Sequence, residues 1–585
     1  MRGGPTIVGV SANFHDAACC LVRHGKLVAA IQEERLTRIK HDPSTPAYAF
    51  RACLAHAGLD VTDVDCIAYY EDPALKAQRI NLDKQTPLGT EAVVADLKPV
   101  QRLRRRLGYE GEIHCFRHHL SHAASAFYPS GFDSAAVLTI DGVGEWTSTG
   151  YWRAGPKGLE LLEEVRYPHS LGLLYSTVTA YLGFSVNDGE YKVMGLAALG
   201  RPTLLDKLRR LISSDDDAQF RLDMRYFDFR VHDRMYSKAL ETLLEHPRRQ
   251  PDEKLNEFHA NLASSVQALL EEVLIQKVRY LHKRTNSDRL CLAGGVALNC
   301  VANGRVHRDG PFAEIFVQPA ADDAGGAIGA AALAHIKLCP ETTLDIRFHD
   351  AFLGPTCERD AIWELLCSTP IPYDEFAEDR DELIERTALH LASGHIVGWF
   401  QGRMEFGPRA LGGRSILADP RSPHVRDRIN TIVKRRESFR PFGPAVLYDR
   451  AHLFFELAHP SPFMVETCGV RPSAALPAVT HVDGSARVQT VDRTSRHPFA
   501  RLLGAFDRLT GCPALLNTSF NMNDEPIVCT PEDALICFLR SEIAILVLET
   551  FMIERSRVPF RLIEAVRRSY VSRPLVVPEH VYTLV

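Results

Sequence analysis

Residues 6–22, TIVGVSANFHDAACCLV, hold two apolar runs split by the polar turn Asn13-Phe14-His15-Asp16. Each run, TIVGVSA and AACCLV, reads as a buried strand, and a third, LVAAIQ, follows the His24-Gly25 turn. From residue 135 the plan recurs. AAVLTI meets the polar turn DGVGEW, then STGYWRA, a Gly-Pro turn and LELLEEV. Two copies of strand, acidic or Gly-rich turn, strand, turn, strand predict a duplicated α/β unit. In such an arrangement the two polar turns can face each other across a cleft.

Outward from these copies the chain alternates helices and strands. Residues 252–285 are amphipathic and free of Gly and Pro from Asn256 onward, which predicts a long helix. RLCLAGGVALNCVANGRV (289–306) reads as a strand running into a double glycine and then a helix, an arrangement that bares N–H groups at a helix start. IFVQPAADDAGGAIGAAALAHI (315–336) repeats that grammar with a small-residue helix. Periodicity weakens where Pro340, Pro355, Pro370 and Pro372 fall. The expected boundaries are a first domain over 1–345, a linker over 346–382 and a second domain over 383–585.

The chain has 585 residues, 45% hydrophobic and 24% charged, too long for one core, so about two to four domains are expected. A net charge of -5 and a pI near 6.6 argue against nucleic acid as a partner. The 14 cysteines contain no C-x-x-C pair and suit reduced thiols better than a disulfide framework or zinc ribbon. The apolar run at the start is too short for a signal peptide. No run approaches the roughly 18 residues that span a bilayer. A cytoplasmic enzyme without a membrane partner is expected.

Two stretches carry chemistry. In RHHLSHAAS (117–125), a helix puts His118 and His122 one turn apart on one face while His119 points elsewhere. That spacing can offer two imidazoles to one metal ion. From Arg403 to Arg440 ten Lys/Arg stand against four acids, interleaved with Gly, Pro and aromatics, which is unlike a simple solvated helix face. Further on, LLNTSFN puts Asn517, Ser519 and Asn521 at alternate positions of a short strand. Together these predict a pocket for a small, highly phosphorylated ligand.

Set in order, HDAACCLV, EERLTRIKHD, HHLSHAASAFYPSGFDSAAVLTIDGVGEW, EYKVMGLAALG, LAGGVALN, PAADDAGGAIGAA, EFGPRALGGRSILADPR, RVQTVDR and LLNTSFN resemble the ATP-dependent O-carbamoyltransferases of antibiotic biosynthesis, a family that includes nodulation protein U. The resemblance spans nearly the whole chain. It implies an actin/hexokinase-like, threonylcarbamoyl-transferase-like first domain and a YrdC-like second domain. The second would make carbamoyl-adenylate from carbamoyl phosphate and ATP. The first would pass the carbamoyl group to a free hydroxyl of a small natural product.

It further implies a metal, iron(II), on His118, His122, Asp141 and Asp323, the last chosen over Asp322 because it directly precedes a small residue and glycine. His15 and Asp228 become candidates for removing the acceptor proton. Gly142, Gly144, Gly294, Gly295 and Asn299 would line the nucleotide, with Lys192 a candidate phosphate contact or an ion-pair partner of Glu190. Lys434, Arg435, Arg440, Arg487, Asn517 and Ser519 would hold carbamoyl phosphate and ATP, with Lys40 and Arg409 as further contacts. Two alternatives use the same pieces: a tRNA threonylcarbamoylation-type enzyme, disfavoured by the acidic pI, and a non-catalytic nucleotide-gated scaffold. The identity of the acceptor is not encoded in any of these segments.

Overall fold

In the computed structural model, which describes residues 4–83, 99–230, 234–434 and 439–569, the runs flanking Asn13–Asp16 are the antiparallel strands β1 (Thr6–Ser11) and β2 (Ala18–Arg23). His24 and Gly25, at φ 52° and 76°, turn the chain into β3 (Lys26–Gln32). A two-residue hairpin of this kind needs positive φ at both positions. β4 (Cys66–Tyr69) and β5 (Glu112–Cys115) add in parallel beyond β1, giving the order β3-β2-β1-β4-β5.

A second sheet repeats the first. β6 (Ala135–Ile140), β7 (Thr147–Gly155) and β8 (Gly158–Arg166) are antiparallel neighbours. β9 (Arg289–Ala293) and β10 (Glu314–Val317) extend β6 in parallel, in the order β8-β7-β6-β9-β10. Strand order and pairing sense match position for position. The α/β duplication expected from the sequence is therefore present in the topology itself.

Four helices matter for the site: α1 (His118–Ser130), α2 (Glu257–Thr285), α3 (Cys300–Asp309) and α4 (Asp323–Leu338). The small residues of α4 have a steric cause. A Cβ on Gly9 of β1 would lie 1.9 Å from the Ala327 carbonyl oxygen, and one on Gly329 would lie 1.8 Å from that of Ser121. Helix α4 thus lies against β1 and α1 at a distance that only glycine permits. This brings its first residue, Asp323, to the histidine face of α1.

Two details depart from the sequence reading. α2 begins at Glu257 rather than 252, because the Asn256 side chain accepts from His259 N while the His259 ring accepts from Asn256 N. That reciprocal cap fixes the start. The double glycine does not open a helix. Gly295–Leu298 form a 3-10 turn, and Asn299 caps α3 by accepting from Ala302 N at 3.0 Å.

The described residues fall into two compact units, one of 4–34 and 41–349, the other of 35–40 and 350–569. The second unit is built on an eight-stranded mixed sheet. Its strands are β11 (Asp374–Glu375), β12 (Val397–Phe400), β13 (Arg414–Ala418), β14 (Gly443–Leu447), β15 (Gln489–Val491), β16 (Ala514–Ser519), β17 (Ile545–Leu548) and β18 (Phe551–Glu554). They run β11-β18-β17-β12-β13-β16-β14-β15. Much of the stretch read as a linker is structured: the helix Arg359–Cys367 buries Ile362 and Leu366 in this unit's core, and β11 pairs with β18. Arg38 also belongs here, donating to the Ile527 and Pro526 carbonyls at 2.6 and 2.8 Å. Among the described residues no helix is long and apolar enough to cross a membrane.

Candidate functional site

His118 and His122 lie on one buried face of α1, their Nε2 atoms 3.0 Å apart. Asp141 follows the end of β6, where Gly295 N donates to its Oδ1 at 3.0 Å. Its Oδ2 is left facing His118 Nε2 at 3.0 Å and His122 Nε2 at 3.7 Å. Asp323 repeats the scheme. Tyr70 Oη donates to Oδ2 at 3.1 Å, and Oδ1 stands 3.5 Å from each imidazole Nε2. Neighbouring Asp322 is turned away as the cap of α4, accepting from Ala324 N.

Four ligand atoms, one from each residue, thus lie within 4.8 Å of one another. The electrostatics follow. Burial alone would lower the His122 pKa, but Asp141 and Asp323 outweigh it and lift it to about 9. Burial would raise the Asp141 carboxyl, yet the two histidines hold it well below its ordinary value. Asp323 is also held low, by His118, His15 and His122 against burial.

Asp323 Oδ1 is buried and accepts no hydrogen bond. Two imidazole nitrogens and two carboxylate oxygens converging in this way fit a divalent transition cation. The outer Nδ1 atoms of both histidines also lack partners, so packing sets the rings. Gly144 leaves room for His118, since a Cβ there would approach its Cβ and Cδ2 to 3.0 Å, and the Tyr70 ring lies against it, tilted by 55° at 5.2 Å. His119 bonds Thr139 Oγ1 instead, at 2.8 Å. Burial and its two histidine neighbours push its pKa well below normal, so it is neutral.

Beside His118 opens a small pocket lined also by Phe14, Tyr70, Glu71, Lys76, Arg79 and Gly144. His15 stands next to it, its ring 4.4 Å from Phe14. Its pKa is lifted to about 9: burial opposes the charge, while Asp323, Asp16 and Asp141 outweigh it. Asp228 is bonded to Arg234, in a loop bridged by Phe227 and Tyr236.

Of the expected nucleotide contacts, Gly295 orients Asp141. Gly294, at φ 92°, is required by the Ile140 carbonyl 2.2 Å from where a Cβ would sit. Gly142 borders open space. Asn299 caps α3 and pairs with Gln267. Lys192 Nζ lies 5.9 Å from the Phe184 ring centroid, and Glu190 accepts from Ser176. The amides of this loop are thus largely used inside the protein.

Four of the described cations of the basic block are engaged by neighbouring groups of the protein. Arg403 donates to the Gly354 and Leu353 carbonyls. Arg414 donates to those of Gln401, Gly402 and Gly413 and lies 3.5 Å over the Phe400 ring. Arg421 pairs with Asp419, and Arg426 with Asp427. For Arg414 the cause is a glycine-rich loop whose carbonyls need donors. The same loop is held from its N–H side by Glu405, whose Oε1 accepts from Leu411, Gly413 and Arg414.

What remains is smaller. Lys434, buried, donates to the Ser519 carbonyl and hydroxyl and to Asn521 Oδ1. Arg440 reaches Asn523 Oδ1 at 3.3 Å. The Arg487 Nε is buried without a partner. Asn517 has other partners, donating to Ala410 O and Gln489 Oε1. Arg409 is half-buried on the loop before β13. Lys40 lies in the 35–40 segment of the same unit. Arg435 is outside the described residues. The sequence reading missed Tyr70, Asp16 and His41, which stand in or near quoted segments but carry no spacing signal.

A family model described as carbamoyltransferase N-terminus matches residues 6–332, and one described as carbamoyltransferase C-terminus matches 388–555. The chain therefore belongs to the carbamoyltransferase family and is an enzyme that transfers carbamoyl groups. Among its relatives, an uncharacterized protein of Synechocystis sp. is 43% identical, with 95% of this chain and 97% of that one covered. Nodulation protein NolNO of Sinorhizobium fredii is 40% identical over 93% of this chain and 79% of its own. The 3'-hydroxymethylcephem-O-carbamoyltransferase of Amycolatopsis lactamdurans is 28% identical over 89% and 94%.

Proposed function

We propose that the enzyme activates carbamoyl phosphate with ATP and transfers the carbamoyl group to a hydroxyl of a small natural product. Activation belongs to the second unit, which we read as YrdC-like. There carbamoyl phosphate, ATP and one water give carbamoyl-adenylate, inorganic phosphate and pyrophosphate. Lys434, Arg440 and Arg487 are the cations we place near the phosphates. Transfer belongs to the first unit. The acceptor oxygen attacks the carbamoyl carbon, AMP leaves with the bonding electron pair, and His15 takes the acceptor proton.

The observation that carries this reading is the buried quartet His118, His122, Asp141 and Asp323 at the wall of a pocket. A cation held there, which we take as iron(II), would supply Lewis-acid polarisation of acyl phosphate oxygens. The chain's own residues position what remains. Gly295 and Tyr70 aim the two carboxylates, and Phe14 and Tyr70 give the pocket apolar walls. A hydroxyl acceptor accords with the name of the cephem carbamoyltransferase relative.

The test incubates the enzyme with ATP, carbamoyl phosphate and a panel of natural-product alcohols, followed by mass spectrometry and nucleotide analysis. A carbamoylated alcohol with matching AMP and pyrophosphate is expected. Carbamoylation that proceeds without nucleotide would overturn the activation step.

A further inference from the structure

The turn that holds His15 is built from unusual backbone. Asn13 and Asp16 have φ of 71° and 51°, and His41 and Asn187 have 55° and 63°. Non-glycine residues adopt this region at a cost, and such residues concentrate at functional sites. These four stand in or beside one chain of hydrogen bonds. His15 Nδ1 meets Asp16 Oδ2 at 3.0 Å, Asp16 Oδ1 meets His41 Nδ1 at 2.8 Å, and His41 Nε2 meets Asp188 Oδ1 at 3.0 Å. Glu34 fixes His41 from a further side, accepting from its backbone N–H at 2.8 Å. Asp16 and Asp188 are both buried.

We propose that Asp16 is the positioning residue for His15, and that His41, clamped between Asp16 and Asp188, holds Asp16 in place. The proposal rests on the reading of His15 as the base. Only the neutral form of His15 can act, the minority species below its raised pKa of about 9: with Nδ1–H bound to Asp16, that form carries its lone pair on Nε2, which has no hydrogen-bond partner among the described residues. As the acceptor oxygen bonds to the carbamoyl carbon and the carbon–oxygen bond to AMP breaks, the hydroxyl proton passes to Nε2. Asp16 then faces an imidazolium. Burial favours a protonated carboxyl at Asp16, but His41 and His15 outweigh it and keep it ionised. Asp16, Glu34 and His41 also lie close enough to share a cation, but their hydrogen bonds to one another and to Asp188 already account for the arrangement.

The experiment measures AMP release from supplied carbamoyl-adenylate. The acceptor is the alcohol found in the panel, or glycerol as a hydroxyl probe if none is found. His15→Ala and Asp16→Asn should each lower kcat by about 10²- to 10⁴-fold with KM nearly unchanged. His41→Ala should lower it less, and His41→Asn, which keeps an N–H toward Asp16, should recover part of the loss. Adding Asp16→Asn to His15→Ala should cost nothing further, because the two act as a unit. Melting temperature and metal content should stay as in the parent.

Wild-type kcat in Asp16→Asn, with His15→Ala inactive, would overturn the positioning role and leave the base standing. Wild-type kcat in His15→Ala would overturn the base and, with it, the role given to Asp16. Losses that multiply in the double variant, or metal lost from Asp16→Asn, would also overturn the proposal.

Discussion

The histidine helix and the basic block are both dense clusters of charged or titratable residues, yet they end differently. Around α1 the charged atoms are left facing one another. Each carboxylate has one oxygen taken by an outside donor, Gly295 or Tyr70, and one turned to the imidazoles. In the block four of the ten cations are taken up nearby, Arg403 and Arg414 by backbone carbonyls and Arg421 and Arg426 by adjacent acids. Around α1 the unpartnered Asp323 Oδ1 and the converging ligand atoms, not the amount of charge, mark the site.

That contrast predicts a descending series of effects. Asp141→Asn should cut carbamoyl transfer by about three orders of magnitude and empty the metal centre, since a lost Lewis acid costs several kcal/mol. Elemental analysis checks the second part, and unchanged metal would show the ligands are wrongly assigned. Glu405→Gln should mainly cost stability, about 2 kcal/mol, because three buried amides lose a charged acceptor. Chemical denaturation reads this, and a parent-like midpoint would mean the loop is held by something else. Arg421→Ala breaks a partly exposed pair and should cost about 0–1 kcal/mol, with carbamoyl-adenylate synthesis within about twofold of the parent. A tenfold loss of synthesis would support the reading of the block as one phosphate pocket.

The duplicated sheet could be read from the chain because apolar runs and polar turns alternate at short range, as in TIVGVSANFHDAACCLV. The pairing of His118 with His122 was equally local, set by one helical turn. The links Asp16–His41 and His41–Asp188 span 25 and 147 positions, and no periodicity connects residues so far apart. The engagement of Arg403 and Arg414 was hidden for a related reason. Guanidinium groups bond backbone carbonyls, whose directions a sequence does not display. Asn517 and Ser519 share a strand, but the first is taken up by Ala410 and Gln489 and the second by Lys434 and Asn521.

The most direct test of two separate reactions in two units pairs His118→Ala with Lys434→Ala, each first shown to melt like the parent. Lys434→Ala should fail to make carbamoyl-adenylate from ATP and carbamoyl phosphate, yet transfer the carbamoyl group when carbamoyl-adenylate is supplied. His118→Ala should make the adenylate and fail to pass it on. If folded Lys434→Ala were equally inactive with supplied carbamoyl-adenylate, the division of labour between the units would be contradicted.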